Sequence, residues 1–537
     1  MPPVTGGEAV VRSLAAHGVT TVFGIPGTHN LPIYAALDDH GIDHVLPRHE
    51  QGAGYAADAY ARVTGRPGVV VTTTGPALLN AATAAAQAYS DSVPVLLVSP
   101  GMPLDHPGSW SGELHEVKDQ SGAMERIVAS SHRVTSVAEI PGAVAAAFAR
   151  MTDRRPRPVH LEVPLDLLEV TAEVADAAPV AVPAGLAEAT AITAAADALA
   201  DAARPGLVVG GGARAAAGAV RALAERLGAP VVTSTNGKGV LAEDHPLSIG
   251  AGLHHRSVRA FLADCDRVLA VGTELAPADT WEPLDLGDRL VRLDVDAEQL
   301  LRPRPPRVAV LGAARPALER ILEQLAGPSA ASDGHERAQR WRRAHREDAA
   351  REGGPWLGLL DVLHEALGRD AVVVGDSAMV CYYGALSNLP RYTPASFLYP
   401  TGLGTLGYAV PAAVGAKLGR PDVDVVALSG DGGLMFTLAE LAAAAQLELA
   451  LPVVVVDNGG YGEIDRGMRE RGQRSIGVDL APADLPAAAR ALGCHGQDLD
   501  DLAALGPALA AALAADRPTL LRIPESATGA ANWEETP

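Results

Sequence analysis

Between Ser429 and Glu463 the chain reads SGDGGLMFTLAELAAAAQLELALPVVVVDNGGYGE, which sets Asp431 in one glycine turn and Asn458 in a second. One carboxylate and one amide oxygen are hard oxygen ligands. The glycines Gly430, Gly432 and Gly433 flank a helix start whose backbone N–H groups suit a phosphate. Together they suit Mg²⁺ bridging a diphosphate. Other residues could do chemistry elsewhere. Glu50, in LPRHEQGAGYAADAYAR, follows a strand and opens a helix. It is either a carboxylate favoured by the helix macrodipole or a partly buried acid for proton transfer. ELHEVKDQ gathers His115, Glu116, Asp119 and Gln120 in a solvated loop or a pocket lid. The glycines of PTGLGTLGYAVPAAVGAK allow close approach to a flat ligand, with Leu406 the bulky apolar side chain among them.

Positioning these residues requires strands that end on one edge. Val423 to Leu428 reads as a buried strand, Leu434 to Ala450 as a helix packed on a sheet, and Pro452 to Asp457 as the next strand. Such a strand, crossover helix and strand is a right-handed unit with parallel strands, so both glycine turns lie at carboxyl ends, where open α/β sheets bind ligands. The alternation recurs along the chain: TTVFGI, DHVLP, GVVVTTT and VPVLLVSP each join alanine-rich helical stretches. It predicts an α/β protein of three doubly wound domains with parallel sheets. Their expected bounds are 1–168, 189–327 and 356–537, with linkers at 169–188 and 328–355, the second ending in a surface helix. The last residues, PESATGAANWEETP, read as an exposed end.

Bulk properties remove several classes. The formal charge of 43 − 64 = −21, with no basic patch, argues against nucleic acid or an anionic membrane surface as partner. The N-terminal stretch has no basic segment leading into an apolar one, and the apolar runs are too short to span a bilayer, so a cytoplasmic protein is expected. Cys265, Cys381 and Cys494 lack metal-ligand spacing and read as buried free thiols. GGGARAAAG at Gly210 to Gly218 lacks the dinucleotide spacing and reads as turn glycines. His254 and His255 have no acidic partner nearby in sequence and read as loop residues.

These motifs resemble those of the thiamine-diphosphate enzymes, the superfamily of acetolactate synthases, pyruvate oxidases and 2-oxo-acid decarboxylases. Gly430-Asp431-Gly432 is followed by Asp457-Asn458, where Asp replaces the first Asn of the usual pair, and FGIPG, RHEQGAGYAADAYARVTG, GPALLN, SDSVPVLLVSP and GLGTLGYAVPAAVGAK complete the likeness. The resemblance implies pyrimidine-binding, central and diphosphate-binding domains in that order. It implies thiamine diphosphate and Mg²⁺ as cofactors, the metal held by Asp431, Asn458 and the Gly460 carbonyl. It implies Leu406 as the wedge that bends the cofactor, the Gly404 carbonyl as acceptor from the aminopyrimidine, and Glu50 as the acid at the pyrimidine nitrogen. Gly430, Gly432, Gly433, Asn80 in GPALLN, and Ser377 in GDSAMVCYY are the remaining cofactor-binding candidates. A homodimer or homotetramer follows, with a small 2-oxo acid as substrate.

Some positions depart from the pattern. Ser377 alone stands where relatives offer several diphosphate partners, and His115-Glu116 replaces the Gln-Glu of acetolactate synthases. The adjacent His-His pair of pyruvate decarboxylases is absent from the first domain. Glu463, in NGGYGEI, falls on the helix that lines the family's substrate pocket. Left unpaired it would call for a cation, such as a substrate guanidinium. The closest likeness is to decarboxylases of 5-guanidino-2-oxopentanoate, with His115 and Glu463 joining Glu50 as catalytic candidates. A carboligase like acetolactate synthase, an oxidase using FAD, and a non-catalytic paralogue are the alternatives.

Overall fold

The computed structural model describes residues 3–108, 111–152, 154–175, 179, 185–325 and 333–528. Short β1 (Val4–Thr5) pairs antiparallel with β8 (Thr171–Ala172). Between them run β2 (Thr21–Gly24), β3 (Asp43–Val45), β4 (Gly68–Val71), β5 (Val95–Gly101), β6 (Ser131–Arg133) and β7 (Val159–Pro164). They form a parallel sheet in the order β3-β2-β4-β5-β7-β6. Its strands show the two-residue period of a doubly covered sheet. Val69, Val71, Leu96 and Val98 enter one buried cluster, while Val70, Val95 and Leu97 enter the cluster on the opposite face.

The second sheet consists of β9 (Pro205–Val209), β10 (Val231–Thr233), β11 (Ser248–Ala251), β12 (Arg267–Val271), β13 (Leu290–Asp294) and β14 (Val308–Leu311), ordered β11-β10-β9-β12-β13-β14. The third consists of β15 (Val372–Gly375), β16 (Phe397–Leu398), β17 (Val425–Gly430), β18 (Pro452–Asp457), β19 (His495–Asp498) and β20 (Thr519–Pro524), ordered β16-β15-β17-β18-β20-β19. All pairings in both are parallel. The expected α/β class with three parallel sheets is therefore what the chain forms. Among the described residues no helix is long and apolar enough to cross a membrane, and the three cysteines are buried and free.

The chain packs as two compact units. One joins Met1–Pro183 with Gly402–Pro421 and Thr437–Leu449, and the other holds Ala184–Thr401, Asp422–Phe436 and Ala450–Pro537. Within the first, helix Ala409–Gly419 lies so close to helix Glu50–Thr64 that a Cβ on Gly415 would sit 1.9 Å from the Ala56 carbonyl oxygen. A buried ionic cluster ties the same pair. Arg62 donates to Asp58 at 2.6 Å and to Asp91 at 2.8 Å, and the Tyr408 hydroxyl donates to Asp58 at 2.6 Å.

Three expectations need correction. The strand read as Val423 to Leu428 is β17 and runs on to Gly430, so Asp431 opens a helical turn (Asp431–Leu434) rather than sitting inside a loop. The helix read as Leu434 to Ala450 is broken, and helix resumes only at Glu440–Gln446. The Thr437 hydroxyl is committed to the Gly407 carbonyl at 2.8 Å, and Thr437 O takes the Glu440 N–H in a tight turn, so the segment folds toward a tertiary partner instead of continuing the helix. The second expected linker does end in a helix, Gly334–Glu352, but not one confined to the surface: it buries Arg337, Ala338, His345 and Ala349 and so contributes to a core. Residues 176–178 and 180–184 of the first expected linker, 328–332 of the second and the chain end at 529–537 lie outside the described residues.

Candidate cofactor and substrate site

In the third sheet the strand order reverses between β15 and β17, the place where open α/β sheets bind ligands. Asp376 and Ser377 follow β15, Asp431 follows β17, and Asn458 and Gly460 follow β18. Asp431 is 7% exposed, and the Asn458 backbone N–H reaches its Oδ1 at 3.5 Å. The Asn458 side-chain oxygen accepts from the Gly460 N–H at 3.2 Å. A cavity of about 600 Å³ opens on this edge, lined by Asp431, Asp457, Asn458, Gly459, Arg522 and Glu525 among others. That volume suits a cofactor.

The electrostatics of the cavity favour a cation. Burial and the neighbouring Asp457 charge push the Asp431 carboxyl above its ordinary range. Burial, with a smaller push from Asp431, raises Glu525, although the Trp356 indole N–H donates to it at 3.0 Å. Asp457, the residue that replaces the first Asn of the pair, is already met by Arg522 at 2.8 Å, and it accepts the Gly459 N–H at 3.0 Å. Two acids driven toward their neutral forms, beside an amide oxygen, make a donor set that a hard divalent cation relieves. The glycines at the start of the turn are required by their neighbours. A Cβ on Gly432 would come 2.9 Å from the Tyr461 ring, and one on Gly433 3.2 Å from the Asp376 carboxyl carbon. Sequence reasoning missed Asp376, which is 1% exposed, accepts the Ser377 N–H at 2.8 Å and accepts the Ser429 hydroxyl at 3.2 Å. Its position just after a valine-rich strand was the available signal.

The first unit holds the other set. Glu50 is the first residue of its helix, 9% exposed, with the Asn80 amide donating to its Oε2 at 2.9 Å. The His49 ring caps this helix by accepting the Gln51 N–H at 3.1 Å. ELHEVKDQ is more ordered than a solvated loop. Buried Gln120 accepts the Gly75 N–H at 2.7 Å and donates to Ser99 and Pro100, and Asp119 accepts the Gly122 N–H at 2.8 Å. His115 is held at φ 66°, a left-handed conformation uncommon for a residue with a side chain. Its ring meets His29 edge-on at 5.0 Å, and Nδ1 of each ring is buried with no hydrogen-bond partner. His29 follows β2 at the first sheet's own reversal point, and burial followed by the His115 charge lowers its pKa. The pair unites two loops far apart in sequence, so adjacency along the chain gave no sign of it. Gly404, at φ 66°, and half-buried Leu406 belong to the Gly402–Pro421 segment, where Thr405 meets the Tyr55 hydroxyl at 2.6 Å.

Glu463 lies on helix Gly462–Glu470 and is not unpaired. Its Oε1 accepts from the Arg466 guanidinium at 3.0 Å and from the Tyr383 hydroxyl at 3.1 Å, and its Oε2 lies 2.9 Å from the same guanidinium as an ion pair. The Arg466 guanidinium also lies over the Tyr383 ring, 4.7 Å from its centroid, and donates to the Tyr383 hydroxyl. The cation that the sequence left open is thus supplied from three residues along the same helix.

His254 and His255 are likewise not plain loop residues. The fold brings Glu352 to His254 at 3.0 Å and to His255 at 3.7 Å, and His254 stacks on Trp281 with centroids 3.9 Å apart.

Comparison with known proteins matches the descriptions "Thiamine pyrophosphate enzyme, N-terminal TPP binding domain" at residues 4–123, "central domain" at 192–321 and "C-terminal TPP binding domain" at 374–523. The chain is 43% identical to the probable 2-ketoarginine decarboxylase AruI of Pseudomonas aeruginosa, over 93% of this chain and 90% of that protein. It belongs to the thiamine pyrophosphate enzyme family. It is also 33% identical to the acetolactate synthase large subunit of Parasynechococcus marenigrum, over 97% of this chain and 87% of that one. With the acetolactate synthase isozyme 2 large subunit of Escherichia coli it shares 32% identity over 97% and 95%. The cofactor of this family is thiamine diphosphate. The cavity beyond β17 and β18, with its acid-rich rim and glycine turn, fits a metal-bound diphosphate.

Proposed function

We propose that this enzyme decarboxylates a 2-oxo acid carrying a cationic, guanidino-type side chain. The observation that carries the reading is 43% identity, over nearly the whole chain, to a probable 2-ketoarginine decarboxylase. In this reading a substrate guanidinium takes the place that Arg466 now holds between the Glu463 carboxylate and the Tyr383 ring.

Thiamine diphosphate, when bound, supplies the electron sink for cleavage of the bond to CO₂. The chain's residues hold it and manage protons. In this reading Asp431, Asn458 and the Gly460 carbonyl would hold Mg²⁺, with Gly430, Gly432, Gly433 and Ser377 around the diphosphate. Leu406 and the Gly404 carbonyl would support and orient the rings. Glu50, fixed by Asn80, would exchange a proton with the pyrimidine nitrogen. His115 and His29, each with an unpartnered ring nitrogen, would hold or deliver a proton at the reacting end of the substrate. A homodimer or homotetramer remains part of the reading and is checked by sedimentation.

A second reading, a carboligase that joins the decarboxylated fragment to another carbonyl, draws support from the acetolactate synthase similarity over 97% of the chain. The test is CO₂ release from pyruvate, branched-chain, aromatic and guanidino 2-oxo acids, with thiamine diphosphate and Mg²⁺ present or omitted. Cofactor-dependent release that favours the guanidino acid upholds the proposal. Release from pyruvate alone, with a ligated product, replaces it with the carboligase.

A further inference from the structure

Glu440 is a carboxylate 2% exposed that the reaction as described does not use. Its partners are backbone groups far away in sequence. The Arg48 N–H donates to Oε1 at 3.0 Å and Oε2 at 3.2 Å, and the His49 N–H donates to Oε1 at 2.9 Å. These are the two residues just before Glu50. Arg48 is anchored to the same segment by its side chain, which donates to Gln446 at 2.7 Å and to the Ala442 carbonyl at 3.3 Å. Gly52 completes the seat, since a Cβ there would lie 2.4 Å from the Glu440 Oε1. A glycine inside a helix costs stability, so its presence where a carboxylate must fit is informative. The helix that Glu50 opens is thus clamped at its first turn by one buried acid.

We propose that Glu440 is a positioning residue for Glu50. By fixing the two peptide units that precede Glu50, it sets the direction in which the Glu50 carboxyl leaves its helix and the geometry in which that carboxyl exchanges its proton. This role rests on the assignment of Glu50 as the proton-exchanging acid. Burial pushes Glu440 up to about 7, the Arg48 and His49 N–H groups and the Arg48 charge opposing and the Glu50 charge adding to the shift. Protonation removes acceptor capacity from an oxygen that now takes an N–H. The clamp therefore tightens as pH rises through neutrality and loosens below it.

The test uses the cofactor-loaded and cofactor-free protein with three variants, Glu440→Gln, Gly52→Ala and Glu50→Gln. Gly52→Ala keeps the charge at Glu440 and displaces only its carboxylate, so it remains informative if Glu440→Gln folds poorly. Two quantities are read: hydrogen exchange of the Arg48 and His49 amides, and the rate at which the thiazolium C2 proton of bound thiamine diphosphate exchanges with solvent. The expected result is amide exchange faster by about ten-fold or more in Glu440→Gln and Gly52→Ala, the loss of hydrogen bonds to a charged acceptor. C2 exchange slows by about ten-fold or more in both, and the wild-type fall in that rate below about pH 7 is absent from Glu440→Gln. Wild-type C2 exchange despite freed amides overturns the proposal, as does an unaltered acid limb in Glu440→Gln. Wild-type C2 exchange in Glu50→Gln overturns the Glu50 assignment itself and with it the positioning role, whatever the amides show.

Discussion

Replacing Glu463 by Gln removes a charge while keeping shape, and the structure sets what that should cost. The Glu463 side chain is 40% exposed and that of Arg466 is 22%, so their pair is largely solvent-screened and contributes up to about 1 kcal/mol to stability. Melting of the variant should therefore fall by only a few degrees. Selectivity should change more. A charge-assisted bond between Glu463 and a substrate guanidinium is worth about 1.5–3 kcal/mol. Releasing Glu463 from Arg466 takes back about 1 kcal/mol, which leaves about 0.5–2 kcal/mol, or about a 2- to 30-fold preference in kcat/KM. Glu463→Gln should lose that factor for the guanidino acid and leave a neutral 2-oxo acid of equal length unchanged. Arg466→Gln should act in the opposite direction, lowering KM for the guanidino acid by up to about five-fold because the carboxylate is no longer occupied. The assay is steady-state CO₂ release from both acids with wild type and the two variants. Equal losses on both substrates in Glu463→Gln, or a raised KM in Arg466→Gln, would refute the assignment.

Other outcomes follow from the same structure. Asp431→Asn should weaken Mg²⁺-dependent binding of thiamine diphosphate by about 100-fold or more, measured calorimetrically, because the carboxylate among the proposed metal ligands is gone. Arg62→Ala leaves Asp58 and Asp91 buried without their shared cation and should destabilise the first unit by about 3–5 kcal/mol, seen as an early transition in thermal unfolding. His160 uses both ring nitrogens on Ser99 and Ser131, and burial lowers its pKa to about 3. Its folded value lies below the unfolded one, so its contribution is complete above about pH 6.5 and falls away as pH drops toward 3. Between pH 6.5 and 5 the wild type should lose about 2 kcal/mol that His160→Gln does not, measured by denaturant titration at each pH.

The sequence made some of this legible for stated physical reasons. Pro452–Asp457 is a strand with the expected bounds, because an apolar β-branched run between a proline and a glycine turn has few other conformations. Asp431 and Asn458 came out at neighbouring strand ends because a short crossover forces parallel pairing. What stayed hidden depends on partners distant in sequence. Thr437 breaks a helix of good propensity by reaching Gly407, and Glu440 looks like an ordinary surface helix residue until Arg48 and His49 meet it. His254 needed Glu352, and His115 needed His29. Glu463 is a different case, since Arg466 stands at i+3 and the helical spacing that pairs them was visible in the chain.

The most direct measurement is the product formed from the guanidino 2-oxo acid with excess pyruvate present, identified by mass spectrometry after turnover with thiamine diphosphate and Mg²⁺. The expected product is the guanidino aldehyde, one carbon shorter than its acid, with its yield dependent on both cofactors. A ligated hydroxy-ketone as the main product, or no consumption of the guanidino acid, would contradict it.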